Sequence, residues 1–176
     1  IGHFEKSSGD IIFTEDVCSE ITRRLASATI VHKAVDLPAN VLRGMFLGSR
    51  ILPQRDESML MPIREMTIIY SSQQPIEYQR LVLCKEFIHC LDSEVVKTKT
   101  FDEALALCDE LTNGEDTISP EGDTVLQAAI DEMAKFQALA ILFPMRLRDA
   151  YEPAHANGEL SIQEIAGRVI LPEEYV

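Results

Sequence analysis

The sequence predicts an α+β domain that is mainly helical, with a small sheet packed on a central helix. Apolar residues make up 46% of the 176 residues, which is enough to form a core. Residues 66–70 (MTIIY) are short, β-branched and aromatic, as strands are. Most of the chain from residue 76 onward shows the apolar spacing of helices. We therefore expect a loose N-terminal segment over 1–13 and a single domain over 14–176.

The chain before this strand is predicted to hold two helices. Thr14 is predicted to begin the first, because apolar residues then recur at helical spacing as far as Ala28. Residues 36–38 (DLP) have proline where the first turn of a helix accepts it. We therefore predict a second, short helix that runs to about Phe46 and ends at Gly48.

After the strand, five helices are predicted from apolar spacing and capping residues. The helix that follows the strand is apolar nearly all round, which indicates that it is buried. Thr100 with Glu103, and Ser161 with Glu164, have the spacing of a capping box at a helix start. Pro144 ends one helix and can open the next. The predicted helices span residues 76–91, 100–113, 123–143, 144–157 and 161–171.

The charge balance argues against nucleic acid as a direct partner. The chain has 16 Lys and Arg residues against 29 Asp and Glu residues, a formal net charge of −13. Binding to a duplex depends on Lys and Arg side chains that displace counterions from phosphates. No stretch approaches the roughly 20 apolar residues of a membrane span, so no membrane partner is expected either.

The four cysteines form no metal or redox motif. They include no C-x-x-C pair, which excludes a zinc ribbon and a thioredoxin-type site. Four cysteines in 176 residues are also too few for a disulfide scaffold. We expect reduced thiols and a cytoplasmic protein. Motifs for nucleophilic hydrolases, P-loop enzymes and dinucleotide-binding proteins do not occur.

One segment of the predicted central helix carries candidate chemistry. Lys85-Glu86-Phe87-Ile88-His89 differs from H-E-x-x-H at its first position. In that motif two imidazoles on one helix face bind zinc, and the Glu takes a proton from the metal-bound water. Lysine is cationic at neutral pH and offers a metal no lone pair. The alternative is a buried helix with a hydrogen-bonded His89 and a Lys85–Glu86 surface pair.

The order of segments around this motif resembles the ImmA/IrrE family of zincin-like metallopeptidases. In that family a strand and a loop lead to a helix of the type R-x-R-F-T-x-A-H-E-L-G-H, and a later helix supplies a carboxylate as third zinc ligand. The resemblance covers about residues 66–171 and implies a zincin-like core. The segments that carry it are 67–70, 78–89 (YQRLVLCKEFIH), 134–144 (AKFQALAILFP) and 160–166 (LSIQEIA).

The resemblance implies a role for each residue of the motif. Glu86 matches the catalytic base and His89 matches the second zinc ligand, whereas Lys85 replaces the first ligand.

The third ligand of the family corresponds to Met133, a poor zinc ligand beside hard donors. Asp131 and Glu132 lie within two residues of this position, so a small shift restores a carboxylate. Alternatively, the Lys85 ammonium stands where the zinc charge stood and pairs with Glu86 and with Asp131 or Glu132. Such a charge pair in a closed site requires several hydrogen bonds.

The first hypothesis for function is a non-catalytic metallopeptidase-like domain without a cofactor. It acts as a protein-binding or regulatory module of phage or mobile-element origin, because members of the family cleave helix-turn-helix repressors there. The acidic surface suits a basic protein partner such as a helix-turn-helix regulator.

The second hypothesis is an active zinc-dependent endopeptidase with altered ligands, which cleaves a regulatory protein. Glu86 is then the base, and His89 with Asp131 or Glu132 binds the zinc. The third hypothesis is that the resemblance is chance and that the chain is a helical interaction module. The fold discriminates here, because the resemblance fails if the strand over 67–70 does not lie beside the helix over 76–91 in one sheet-and-helix layer.

Overall fold

The computed structural model describes residues 11–25, 28–52, 63–92 and 122–176, with the side chains of residues 122–127 excepted. The described elements form five α-helices and one three-stranded sheet, which is the α+β class that the sequence predicts. In chain order they are α1 (Thr14–Arg24), β1 (Ala28–Val35), β2 (Gly44–Ile51), β3 (Arg64–Ser71), α2 (Ile76–His89), α3 (Gly122–Leu142), α4 (Met145–Ala156), α5 (Ile162–Val169) and a 3-10 helix (Glu173–Tyr175).

The sheet has the strand order β1-β3-β2. β3 is the central strand and the most buried of the three, with Met66 and Ile68 in the core. β1 pairs with β3 in parallel, and β2 pairs with it antiparallel. The β2 register shifts between Phe46 and Gly48, and Gly48 has a φ of 124°, which glycine adopts without a steric penalty.

α2 is the central helix, as predicted, and it ends at His89 rather than at residue 91. It contacts α1, α3, β2 and β3, so nearly every side of it is covered. This agrees with the spread of its apolar residues around the helix and explains why Arg80 and Glu86 are buried in it as well. β3 and α2 pack together, as the predicted strand and central helix were expected to do. The buried residues of α2 are Arg80, Leu81, Leu83, Cys84, Glu86, Phe87 and Ile88.

The residues predicted to start and end the C-terminal helices do so in the structure. Pro144 caps the start of α4, one residue after the predicted end of the long helix. Ser161 and Glu164 form the predicted capping box at α5: the Glu164 amide donates to Ser161 Oγ, and the Ser161 amide donates to the Glu164 carboxylate. Gly158 has a φ of 72° just after α4, as expected for a residue that ends a helix.

The predicted short helix from residue 36 to Phe46 is wrong. The structure has a turn at 39–41 and then β2, so that Gly48 lies within a strand. The first helix also ends at Arg24, and Ala28 begins β1. Strand formation here depends on hydrogen bonds to β3, which local sequence patterns do not reveal.

Two predictions fall wholly or partly outside the described residues. The helix predicted over 100–113 lies outside them. Of the segment predicted as loose over 1–13, residues 1–10 also lie outside, whereas the Ile12 side chain is 2% exposed and belongs to the core. Within the ranges that the structure describes, no helix has the length and apolarity needed to cross a bilayer.

Candidate functional site

Two helix faces bring charged side chains together between α2 and α3. Lys85 and His89 are one turn apart on α2 and therefore lie on the same face. On α3, Asp131 precedes Ala134 and Ala138 by three and seven positions, and both alanines are buried. Asp131 therefore lies on the α3 face that packs against α2.

Asp131 binds two cationic side chains of α2 through one oxygen. Its Oδ1 lies 2.6 Å from Lys85 Nζ and 3.2 Å from His89 Nε2. Lys85 Nζ also lies 3.2 Å from Glu86 Oε1. The ion pair that the sequence predicts between the Lys85 ammonium and the carboxylates of Glu86 and Asp131 is thus present.

His89 is hydrogen-bonded on both sides of its ring. Nε2 faces Asp131, and Nδ1 lies 2.6 Å from Asp92 Oδ2, just beyond the end of α2. A neutral imidazole can donate from one nitrogen only, whereas the protonated ring donates from both. The contacts therefore fit the imidazolium form. We call Lys85, Glu86, His89, Asp92 and Asp131 the Lys85 cluster.

The pKa values follow from this arrangement. Burial opposes the charge of Lys85, but the negative charges of Glu86 and Asp131 outweigh it and raise its pKa to about 12. Burial likewise opposes the charge of His89, but the hydrogen bonds to Asp131 and Asp92 raise its pKa to about 9. For Asp131, burial alone would raise the pKa, yet His89 and Lys85 lower it to about 2. Lys85, His89 and Asp131 are thus all charged at neutral pH.

The cluster is largely withdrawn from water. The side chain of Glu86 is 5% exposed, and those of His89 and Lys85 are 15% and 19% exposed. Charges at such sites are costly unless they are paired and hydrogen-bonded. Each of these three side chains has a partner of opposite charge, so the cluster can hold the two helices together through charge pairing.

β2 closes the cluster on the sheet side. A Cβ atom on Gly44 would lie 2.2 Å from Val82 Cγ1 and 3.5 Å from Glu86 Oε1. The β2 backbone therefore lies directly against α2 at the level of Glu86. Only glycine allows this approach, since any side chain would overlap Val82.

The structure brings Lys85, Glu86, His89 and Asp131 together but leaves two other predicted residues apart. Met133 is 59% exposed, because two positions after Asp131 the helix has turned to its opposite side. Glu132 pairs with Lys135 of its own helix, at 2.6 Å between Oε2 and Nζ. Of the two predicted carboxylates, Asp131 is thus the one that faces the α2 motif.

Sequence reasoning missed Asp92 and Gly44. Asp92 follows His89 by three positions at a helix end, and this spacing was a usable signal for a hydrogen bond. No sequence signal points to the contact of Gly44, because it depends on where β2 lies relative to α2.

The zinc that the metallopeptidase resemblance implies does not fit the residues present. Lys85 places a positive charge between the Glu86 and Asp131 carboxylates, where it repels a cation. His89 has a carboxylate oxygen against each ring nitrogen, so in this arrangement neither nitrogen faces an open position for a metal. Across the described part of the chain, no three His, Cys, Asp or Glu side chains are grouped as metal ligands.

No family model, curated protein or solved structure matches this chain.

Proposed function

We propose that this chain is a non-catalytic metallopeptidase-like domain that acts by binding a protein. In this proposal the Lys85 ammonium takes the place of a metal ion and joins the motif helix to the carboxylate of α3. One observation carries it: Lys85 Nζ lies within 2.6 Å of Asp131 and 3.2 Å of Glu86, on the helix turn where H-E-x-x-H would hold zinc.

The electrostatics support a resident ion pair rather than a resident metal. Unlike a metal ion, the ammonium belongs to a side chain of α2. Its positive charge is therefore present without binding from solution, and its position is set by the helix. Glu86 is held in a salt bridge to Lys85, which occupies the carboxylate that acts as the base in the zinc enzymes. The domain then keeps its helix packing without the chemistry of the zinc enzymes.

The charge of the chain supports a basic protein as the partner. A net charge of −13 attracts basic surfaces over long range and repels phosphate backbones. The proposed partner is a cytoplasmic regulator of the helix-turn-helix class, of phage or mobile-element origin. This choice rests on the metallopeptidase resemblance.

Metal content tests the proposal directly. Protein purified without a chelator and without a histidine tag should contain no stoichiometric zinc by elemental analysis. The Lys85→His variant should gain about one zinc per chain, because it adds an imidazole beside His89 and Asp131. The matched control is Lys135→His, which makes the same change in the Lys135–Glu132 pair on α3 and should gain none.

Two outcomes would overturn the proposal in different ways. Failure of the Lys85→His variant to bind zinc would mean that the ammonium does not occupy a metal position. About one zinc per wild-type chain, with cleavage of a protein that Glu86→Gln abolishes, would favour an active zinc endopeptidase instead.

A further inference from the structure

Arg80 connects backbone groups from both ends of the described chain. It lies in the first half of α2 and is 8% exposed. Its Nη1 donates hydrogen bonds to the carbonyl oxygens of Val169 and Ile170, the latter at 2.8 Å. Its Nη2 donates to the carbonyl oxygen of Ile12. One buried guanidinium therefore holds two segments that are far apart in sequence.

The C-terminal carbonyls reach Arg80 through a strained turn. Ile170 directly follows α5 with a φ of 52°, a left-handed conformation that is unfavourable for a β-branched residue. The amides of Ile170 and Leu171 both donate to the Ala166 carbonyl, which ends the helix in this geometry. Backbone strain of this kind persists only where the surroundings hold it.

Two further contacts fasten residues 169–176, which we call the C-terminal segment. Leu171 is 1% exposed in the core. The Tyr78 hydroxyl of α2 donates a hydrogen bond to the Glu174 carboxylate. The segment is thus attached to α2 at Tyr78 and at Arg80, two positions apart.

Residues 11–17, which we call the N-terminal segment, are hydrogen-bonded to the same arginine. Ile12 and Val17 are buried in the core, and Phe13 accepts the amide hydrogen bonds that begin α1. The described hydrogen bond from α2 to this segment is the one that Arg80 donates to the Ile12 carbonyl.

We propose that Arg80 makes the N-terminal and C-terminal segments open and close as one unit. If the C-terminal segment detaches, the guanidinium loses two of its three carbonyl partners and must turn to water, because a buried charge without partners is unfavourable. The Ile12 carbonyl then loses its donor as well. A disturbance at one end of the chain is thereby transmitted to the other across α2. This inference does not depend on the metal state of the Lys85 cluster.

Hydrogen exchange of the full chain, read by mass spectrometry, tests the coupling. Glu174→Ala removes the acceptor of the Tyr78 hydroxyl and should speed exchange of the C-terminal segment by about fivefold. The proposal expects the N-terminal segment to speed up by the same factor, although Glu174 lies at the other end of the chain. The matched control is Glu173→Ala on the same 3-10 helix, which should change neither segment.

Arg80→Lys supplies the second test, because one ammonium cannot reach three carbonyls in this geometry. In that background Glu174→Ala should speed only the C-terminal segment. The proposal is overturned if Glu174→Ala in the wild-type background affects the C-terminal segment alone, or all segments equally. It is also overturned if the N-terminal segment still follows the C-terminal one in the Arg80→Lys protein.

Discussion

At the scale of single residues, Ile170 stores backbone strain that a substitution can reveal. Its φ is 52°, a backbone conformation that glycine adopts without a steric penalty but that raises the conformational energy of other residues by about 1–2 kcal/mol. We expect Ile170→Gly to be more stable than Ile170→Ala by about 1 kcal/mol in urea denaturation, although both lose the isoleucine side chain. Glycine is ordinarily the less favourable of the two in a folded chain. Equal stability of the two variants would show that the left-handed turn is not kept in solution.

The residue scale also shows how far the site could be predicted. The sequence was sufficient to predict that Lys85 pairs with a carboxylate. Lys85 takes the first ligand position of the H-E-x-x-H pattern, and acidic residues lie near the position of the third ligand. The sequence left open which of Asp131 and Glu132 takes part, since the rotation of α3 is fixed by the packing of Ala134 and Ala138 on α2. The spacing of residues in a family pattern does not determine which face of α3 turns toward α2.

At the scale of elements, the contact between β2 and α2 depends on Gly44. Gly44→Ala should lower the free energy of unfolding by about 1–3 kcal/mol, because the added methyl group would lie 2.2 Å from Val82 Cγ1. Gly167→Ala is the matched control in α5, where a Cβ atom meets no other atom within 4 Å. It should raise the free energy of unfolding by about 0.5–1 kcal/mol. Thermal and urea unfolding measure both changes.

A double variant checks the cause of the Gly44 effect. If the overlap with Val82 is responsible, Gly44→Ala should cost much less in a Val82→Ala background than in the wild type. An equal cost in both backgrounds would place the origin elsewhere in the strand.

The elements were predictable where their signals are local. The α2 helix, the β3 core and the Ser161–Glu164 capping box follow from apolar runs and capping pairs in the sequence itself. β1 and β2 were missed as strands, because they are edge strands with mixed exposure and their hydrogen bonds come from β3. Their conformation is a property of the assembled sheet.

At the scale of the whole molecule, the Lys85 cluster makes stability depend on pH. The pKa of His89 rises from its ordinary 6.5 to about 9 on folding. The stabilisation is therefore complete below pH 6.5 and is lost as the pH rises toward and through about 9. The free energy of unfolding of the wild type, measured in urea, should fall by roughly 3 kcal/mol over this range because of His89. The lowered pKa of Asp131 acts in the opposite sense, and its contribution is lost as the pH falls from 3.8 through about 2.

Two variants isolate the His89 contribution. His89→Asn should flatten the decline between pH 6.5 and 9, because no group then gains a proton on folding at this position. His155→Asn is the matched control, since the His155 ring contacts a backbone carbonyl, that of Leu160, rather than a carboxylate. The same steep decline in the His89→Asn protein would rule out a charged His89 between Asp131 and Asp92.

The strand order has a consequence for how the chain acquires its fold. β2 and β3 form an antiparallel pair joined by the 12 residues 52–63, whereas each β1 residue pairs with one 36 positions later, as Ala28 does with Arg64. Closing the longer loop costs more entropy, so the β2–β3 pair should form first and β1 should add to it. During synthesis β1 emerges first and yet has no partner until β3 has left the ribosome. For that interval the backbone groups that later pair with β3 are open to pairing with another molecule.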